Sequence, residues 1–87
     1  MKLMIVIVRD TDGDAVMQAL IVQGFRVTRV ASTGGFLRRG NVTLLIGVEA
    51  EKVDEVFEIL RKTCQPVDQE QHRATVFVVD MPYFEQI

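Results

Sequence analysis

The residues best suited to bind a ligand lie between Arg26 and Gly47. The centre of this stretch, residues 31–41, reads Ala-Ser-Thr-Gly-Gly-Phe-Leu-Arg-Arg-Gly-Asn. Adjacent glycines have no Cβ, so their backbone N–H groups can come close to an anion, and the neighbouring arginines attract negative charge. The same run also suits a hairpin loop with structural glycines and solvated arginines, so the context must decide between the two interpretations.

The charge distribution favours a bound anion. The 87-residue chain has a formal net charge of −2, yet no acidic residue lies between Asp14 and Glu49. This acid-free segment contains Arg26, Arg29, Arg38 and Arg39. A basic block within an acidic chain indicates a localised anionic ligand, whereas a nucleic-acid polymer usually requires a basic domain.

Length and composition restrict the class of protein. With 48% hydrophobic residues, residues 1–87 are expected to form one domain with a single small core. No apolar run approaches the roughly 18 residues of a membrane span, so we expect a cytoplasmic protein without membrane insertion. The single Cys64 and the single His72 cannot form a disulfide or a metal-ligand set, so no metal or cofactor is expected.

Hydrophobic periodicity predicts four strands, at Lys2–Arg9, Phe25–Ala31, Asn41–Val48 and Ala74–Asp80. A first helix is predicted at Asp12–Gln23, with a capping box formed by Thr11 and Asp14 and a stop at Gly24. A second helix follows from Val53, Val56, Phe57 and Leu60, which lie at i, i+3, i+4 and i+7. A polar loop at Gln65–Arg73 and a tail at Met81–Ile87 complete the chain.

The order strand, helix, strand, strand, helix, strand predicts an α+β, ferredoxin-like fold. In this fold an antiparallel sheet carries both helices on one face. Strands one and three are apolar on both sides, so the other face is expected to be buried against further subunits. Three such sheets can close around an axis, which predicts a homotrimer.

The ligand-binding residues are predicted where the second and third strands meet. Alternation places Arg26 and Thr28 on one strand face, and the hairpin is expected to return Asn41 beside them. A guanidinium and a hydroxyl can hold phosphate, an asparagine amide can read an adenine edge, and a phenyl ring can stack on a base. The candidates are therefore Arg26, Thr28, Gly34, Gly35, Phe36, Leu37, Asn41 and Gly47.

Each candidate also has a purely structural interpretation. Arg26 can be solvated, Thr28 can be a strand former, and Asn41 can serve the turn. Gly47, inside an apolar strand, predicts either a bulge or bare backbone against which something packs. No acid and base can be placed in one cleft from the sequence, so a non-enzymatic protein is expected.

Several runs resemble the PstA/DarA family of PII-like cyclic di-AMP receptors. They are Phe-Arg-Val-Thr at 25–28, Ser-Thr-Gly-Gly-Phe-Leu-Arg at 32–38, Gly-Asn at 40–41 and Ala-Thr-Val-Phe-Val at 74–78. The resemblance implies a trimeric bacterial signal-transduction protein that binds cyclic di-AMP in clefts between subunits and acts on a protein partner that the sequence does not name. It implies contacts from Arg26, Thr28, Gly35, Phe36, Leu37, Asn41 and Gly47, with Phe77 and Gln86 as contributors.

The chain also departs from this family. Only Gln65–Arg73 joins the second helix to the last strand, where the family usually has a long loop containing glycine and proline. Arg39, Val42 and His72 replace residues that are common in the family. These departures leave open a different adenine nucleotide, ATP or AMP, or a trimeric interaction module that binds no nucleotide.

Overall fold

The computed structural model describes residues 1–30, 40–66 and 72–87. Its elements are β1 (Lys2–Arg9), α1 (Asp10–Val22), β2 (Val27–Val30), β3 (Asn41–Val48), α2 (Val53–Thr63) and β4 (Ala74–Asp80), with a 3-10 turn at Ala50–Lys52 before α2. The four strands form one sheet in the order β2-β3-β1-β4, and every neighbouring pair is antiparallel. The predicted ferredoxin-like α+β fold is confirmed.

The core lies between the sheet and the two helices. Side chains alternate across a strand, so even-numbered residues of β1 and β3 point together to the helical side. Met4 and Val6 of β1 and Leu44 and Ile46 of β3 have no solvent exposure, and Val56 of α2 is equally buried against this cluster. One face of the sheet therefore carries the hydrophobic core of the chain.

The start of α1 differs from the prediction. The helix begins at Asp10, two residues earlier than expected, and no side chain caps its first turn. The predicted capping box of Thr11 and Asp14 is wrong because Asp14 bonds Arg29 instead, at 2.9 Å. The first helical N–H group, that of Asp10, donates to the carbonyl of Gly40 at 2.7 Å. The backbone carbonyl of Gly40 thus satisfies an N–H group at the start of the helix, where the sequence predicted a side-chain cap.

A buried carboxylate joins three elements near the start of α1. Asp12 is 1% exposed, and its carboxylate accepts hydrogen bonds from the Arg9 guanidinium at 2.8 and 3.1 Å. The same carboxylate accepts from the backbone N–H of Gln65 at 3.3 Å, while Arg9 also donates to the Gln65 carbonyl. Gln65, predicted only as the start of a polar loop, therefore fixes the end of α2 to β1 and α1.

The end of α1 explains why β2 is shorter than predicted. Gly24 adopts φ +90°, which glycine tolerates, and its N–H donates to Ile21, while the N–H of Phe25 donates to Leu20. This turn occupies the backbone of Phe25, so sheet pairing begins only at Val27. The predicted stop at Gly24 is confirmed, whereas the predicted strand start at Phe25 is wrong; Ala31 lies outside the described residues.

The remaining predicted helix and strands agree with the structure, whereas residues 67–71 of the predicted loop at Gln65–Arg73 lie outside the described residues. β1, β3 and β4 have the predicted bounds, and α2 contains the predicted apolar stripe. No helix within the described ranges has both the length and the apolar character that crossing a bilayer requires.

Candidate functional site

The face of the sheet away from the helices carries most of the predicted ligand-binding residues within the described ranges. We call it the open face, and its strand residues are Leu3, Ile5, Ile7, Thr28, Val30, Asn41, Thr43, Leu45, Gly47, Thr75, Phe77 and Val79. The antiparallel register arranges them in rows that cross the sheet. One row runs from Thr28 through Leu45 and Ile5 to Phe77, and the next contains Gly47, Leu3 and Val79.

Thr28, Gly47 and Arg26 lie at one end of the β2–β3 pair. Thr28 is paired with Leu45, and Gly47 is the next residue of β3 on the same face. Arg26 directly precedes Val27, the partner of Ile46, so it lies at the Gly47 end of β2. The predicted phosphate-binding side chains, Arg26 and Thr28, therefore both belong to the β2 segment, and Gly47 lies on the neighbouring strand.

Asn41 is at the opposite end of β3. It pairs with Arg9, and Leu45, the partner of Thr28, lies four positions further along the strand. At the rise of an extended strand, this separation is about 13 Å. The expectation that the hairpin returns Asn41 beside Arg26 and Thr28 is therefore wrong within one chain. The cause is the register, because β2 pairs with the middle of β3, and Val30 rather than Thr28 lies at the Asn41 end.

Phe77 lies at the other edge of the sheet, and Gln86 follows in the tail. Phe77 shares a row with Thr28, but three strand spacings separate them, which amounts to about 14 Å. The Phe77 side chain is 53% exposed on the edge strand β4. Gln86 is exposed in the tail that follows β4. Thr28 and Phe77 thus lie on opposite edge strands of one sheet.

Four candidates, Gly34, Gly35, Phe36 and Leu37, lie outside the described residues. The next described residue after them is Gly40, which has a left-handed backbone with φ +89° that glycine tolerates. Because the Gly40 carbonyl accepts a bond from the Asp10 N–H, the end of the hairpin is fixed to the first turn of α1. The hairpin therefore enters β3 from a defined point.

Gly47 lies in a regular strand, so the predicted bulge is wrong and the alternative, bare backbone against which something packs, is confirmed. A Cβ built on Gly47 would lie 3.2 Å from the terminal methyl carbon of Met81 and 3.7 Å from that of Met1. Two flexible thioether side chains therefore cover the backbone at this position.

Sequence reasoning missed two features of the open face. The Thr43 hydroxyl is buried and has no hydrogen-bond partner among residues 1–30, 40–66 and 72–87. Thr43 lies two residues after Asn41 on β3, so strand alternation alone would have placed the two side chains on the same face. Met81 gave no such signal, because its contact with Gly47 joins the segment after β4 to β3, which are distant in sequence.

Two described side chains with shifted pKa values, Cys64 and Asp80, are not among the candidate ligand-binding residues. Burial raises the pKa of the Cys64 thiol, and the negative charge of Asp12 raises it further, against the opposing charges of Arg73 and Arg9. On the exposed end of β4, a hydrogen bond and ion pair with Lys2 lower the pKa of Asp80. Neither shift supplies an acid or base to the candidate ligand-binding residues.

The order of strands and helices makes this chain a ferredoxin-like α+β domain, and its polar candidates follow one sheet face. Residues 1–73 match the sequence profile of the cyclic-di-AMP receptor family, so the chain belongs to that family, as the resemblance predicted. The chain is also similar to a crystal structure described as a functionally unknown protein from Pediococcus pentosaceus. That match has 37% identity and a TM-score of 0.76, and it covers 99% of this chain and 96% of the other.

Proposed function

We propose that this protein is a PII-like signal-transduction protein that binds cyclic di-AMP in clefts between the subunits of a homotrimer. In this proposal the bound nucleotide alters the contact with a protein partner, and no reaction is catalysed. Membership of the cyclic-di-AMP receptor family supports the ligand. The observation that carries the intersubunit site is the separation of the candidates across the open face.

One chain holds two incomplete groups of candidates. Arg26 and Thr28 lie at the β2 edge, while Phe77 lies at the β4 edge and Gln86 belongs to the tail that follows β4. A second copy that places its β4 edge beside the β2 edge of the first would bring an aromatic face and an amide to the phosphate-binding group. Asn41, at the far end of β3, would likewise reach the ligand of a neighbouring cleft.

The apolar character of the open face supports assembly through it. Phe77 and Val79 are 53% and 42% exposed, and Val30 is 36% exposed. Monomeric proteins rarely leave a contiguous apolar surface of this kind in water, because burying it contributes favourable free energy. Association of three copies would cover these side chains while leaving the helices on the outside.

Isothermal titration calorimetry with cyclic di-AMP, cyclic di-GMP, ATP and AMP tests the ligand. We expect cyclic di-AMP to bind most tightly. Preferential binding of ATP or AMP would replace the ligand in this proposal, and the absence of heat with all four would leave only an interaction module. Sedimentation in the same buffer tests assembly, and a monomer at micromolar concentration would exclude the intersubunit cleft.

A matched pair of arginine variants tests the placement of the site. Arg26→Ala should weaken cyclic di-AMP binding by about 1 to 3 kcal/mol through loss of a charge-assisted phosphate contact, and the loss should shrink as salt is raised. Arg29→Ala removes the same charge three residues away, but its side chain bonds Asp14 on the helical side. Equal losses from both variants would indicate a general charge effect and contradict this site.

A further inference from the structure

Met81, the first residue after β4, has a hydrogen-bonded backbone and a flexible side chain that lies over Gly47. Its N–H donates to the carbonyl of Met1 at 3.1 Å, and the preceding residue, Asp80, forms an ion pair with Lys2. These contacts fix the position from which the Met81 side chain extends. Its terminal methyl then lies 3.2 Å from where a Gly47 Cβ would be.

The side chains over Gly47 are of a kind that can move without opening the core. Methionine is unbranched and has three rotatable side-chain bonds, so it adapts to irregular gaps and contacts aromatic rings favourably through its sulfur. Met1 is 45% exposed and Met81 is partly exposed, whereas Met4, on the helical face, is fully buried. Displacing Met1 and Met81 from Gly47 therefore exposes none of the buried cluster.

We propose that Met81, assisted by Met1, forms a movable wall of the nucleotide site at Gly47. This inference rests on the proposed function and adds a ligand-contacting residue to it. In the empty protein the thioethers cover the bare Gly47 backbone. When the nucleotide binds, the Met81 side chain leaves Gly47 and packs against an adenine ring, which takes the space beside the backbone.

The same displacement reaches the tail. Met81 directly precedes Pro82, the first residue of the tail, so the Met81 side chain over Gly47 is the packed group next to the tail. Residues 82–87 are exposed, and Tyr83 is 75% exposed. A change at Met81 therefore passes into a segment that has no buried side chain to resist it. Through this connection, occupancy at Gly47 alters the presentation of the tail to its surroundings.

The test uses the full chain labelled with ¹³C at the methionine methyl groups. The chain has four methionines, of which Met4 is buried on the helical face and Met17 packs against the same core. On saturation with cyclic di-AMP, we expect the Met81 and Met1 methyl resonances to shift by more than their linewidths, while those of Met4 and Met17 stay in place. The Met81→Leu variant assigns the Met81 signal.

Calorimetry on the same samples separates the two proposals. Binding of cyclic di-AMP without a change at the Met81 methyl overturns the movable wall and leaves the proposed function standing. No binding of cyclic di-AMP overturns both. Shifts of equal size at all four methyl groups also overturn the wall, because they indicate a change of the whole fold.

Two variants test the contact by measurements other than the methyl spectrum. Met81→Ala should weaken cyclic di-AMP binding about two- to tenfold, the range that a thioether–aromatic contact supplies, with the sedimentation coefficient unchanged. An unchanged affinity overturns the proposal. Gly47→Ala should shift the Met81 methyl slightly without ligand, since the added Cβ meets the flexible end of that side chain at 3.2 Å and that of Met1 at 3.7 Å.

Tyr83 reports the tail in the Gly47→Ala variant, because the chain has one tyrosine and no tryptophan. The tyrosine fluorescence anisotropy of the unliganded variant should move from the wild-type value toward that of the wild-type protein with cyclic di-AMP bound. An anisotropy identical to that of the unliganded wild type would separate Gly47 from the tail and overturn the coupling.

Discussion

The two faces of the sheet differ although the same strands form both. On the helical face, Leu44 of β3 and Val6 of β1 have no solvent exposure. On the open face, the adjacent residues Leu45 and Ile5 are only partly buried, and Phe77 is more than half exposed. In the two central strands, folding of one chain therefore buries the first face fully and leaves the second partly exposed. Substitutions at neighbouring residues of one strand can separate the stability of the chain from any contact made by the open face.

The largest effect that this comparison predicts comes from two adjacent leucines. Leu44→Ala should lower the free energy of unfolding by about 2 to 5 kcal/mol, because the cavity forms in a fully buried cluster. Leu45→Ala removes the same atoms one residue along and should cost much less within a single chain. Urea unfolding at several protein concentrations measures both variants.

The concentration dependence sharpens the comparison. If copies associate through the open face, the loss from Leu45→Ala should depend on protein concentration, and that from Leu44→Ala should persist at high dilution. Equal losses at every concentration would show that the two faces are not distinct in the way described here.

The next effect concerns the one carboxylate buried on the helical side of the described chain, Asp12. Asp12→Ala should lower the free energy of unfolding by about 2 to 3 kcal/mol, because it removes charge-assisted bonds and leaves the Gln65 N–H without its acceptor. Asp14→Ala is the control, since its side chain is 94% exposed in an ion pair. Exposed pairs contribute at most about 1 kcal/mol.

Chemical denaturation of Asp12→Ala and Asp14→Ala in the same buffer decides this prediction. Similar losses in the two variants would mean that Arg9 and Gln65 are satisfied by water once the carboxylate is gone. The buried carboxylate would then position α1 without stabilising it.

Phe36, outside the described residues, tests the proposed ligand site through binding. If its ring stacks on adenine, Phe36→Ala should weaken cyclic di-AMP binding by about 1 to 3 kcal/mol while the proposed trimer stays intact. Calorimetry gives the affinity, and sedimentation gives the assembly. A dissociated chain would instead make Phe36 a subunit contact, and an unaltered affinity would remove it from the site.

The smallest expected effect is the pH response of Cys64. Its thiol pKa is raised above the ordinary value of 9.0 by burial and by Asp12, so the folded chain favours the neutral thiol. The resulting stability is present below pH 9.0 and is lost as the pH rises through the folded pKa, by at most about 1.4 kcal/mol per pH unit.

The Cys64→Ala variant isolates this response. Above pH 9.0, its free energy of unfolding should fall less steeply with pH than that of the wild type. Parallel curves would assign the alkaline loss to other groups.

The sequence predicted the elements whose pattern is strong and local. β1, β3 and β4 have long apolar runs, and α2 has a complete amphipathic repeat, so their bounds agree with the structure. The start of α1 was wrong because its partner is the backbone of Gly40, which is distant in sequence. The predicted start of β2 was wrong because the turn at Gly24 uses the backbone N–H of Phe25, a residue type with strand propensity.

The candidate site was predicted in part for the same reason. Strand alternation correctly placed Thr28 and Gly47 on one face, because side-chain direction repeats every two residues. It could not give the register between β2 and β3, since the connection between them is too long to fix which residues pair. That register separates Asn41 from Thr28. The covering of Gly47 by Met81 depends on both ends of the chain and has no local signature.

The position of β4 at the edge of the sheet has a consequence for handling the protein. This seven-residue strand runs Ala-Thr-Val-Phe-Val-Val-Asp, with neither a charge nor a proline before Asp80. An apolar edge without such interruptions is a template for cross-β aggregation. Chains whose β4 edge is uncovered are therefore the form most prone to cross-β aggregation, and this tendency should increase with the concentration of such chains.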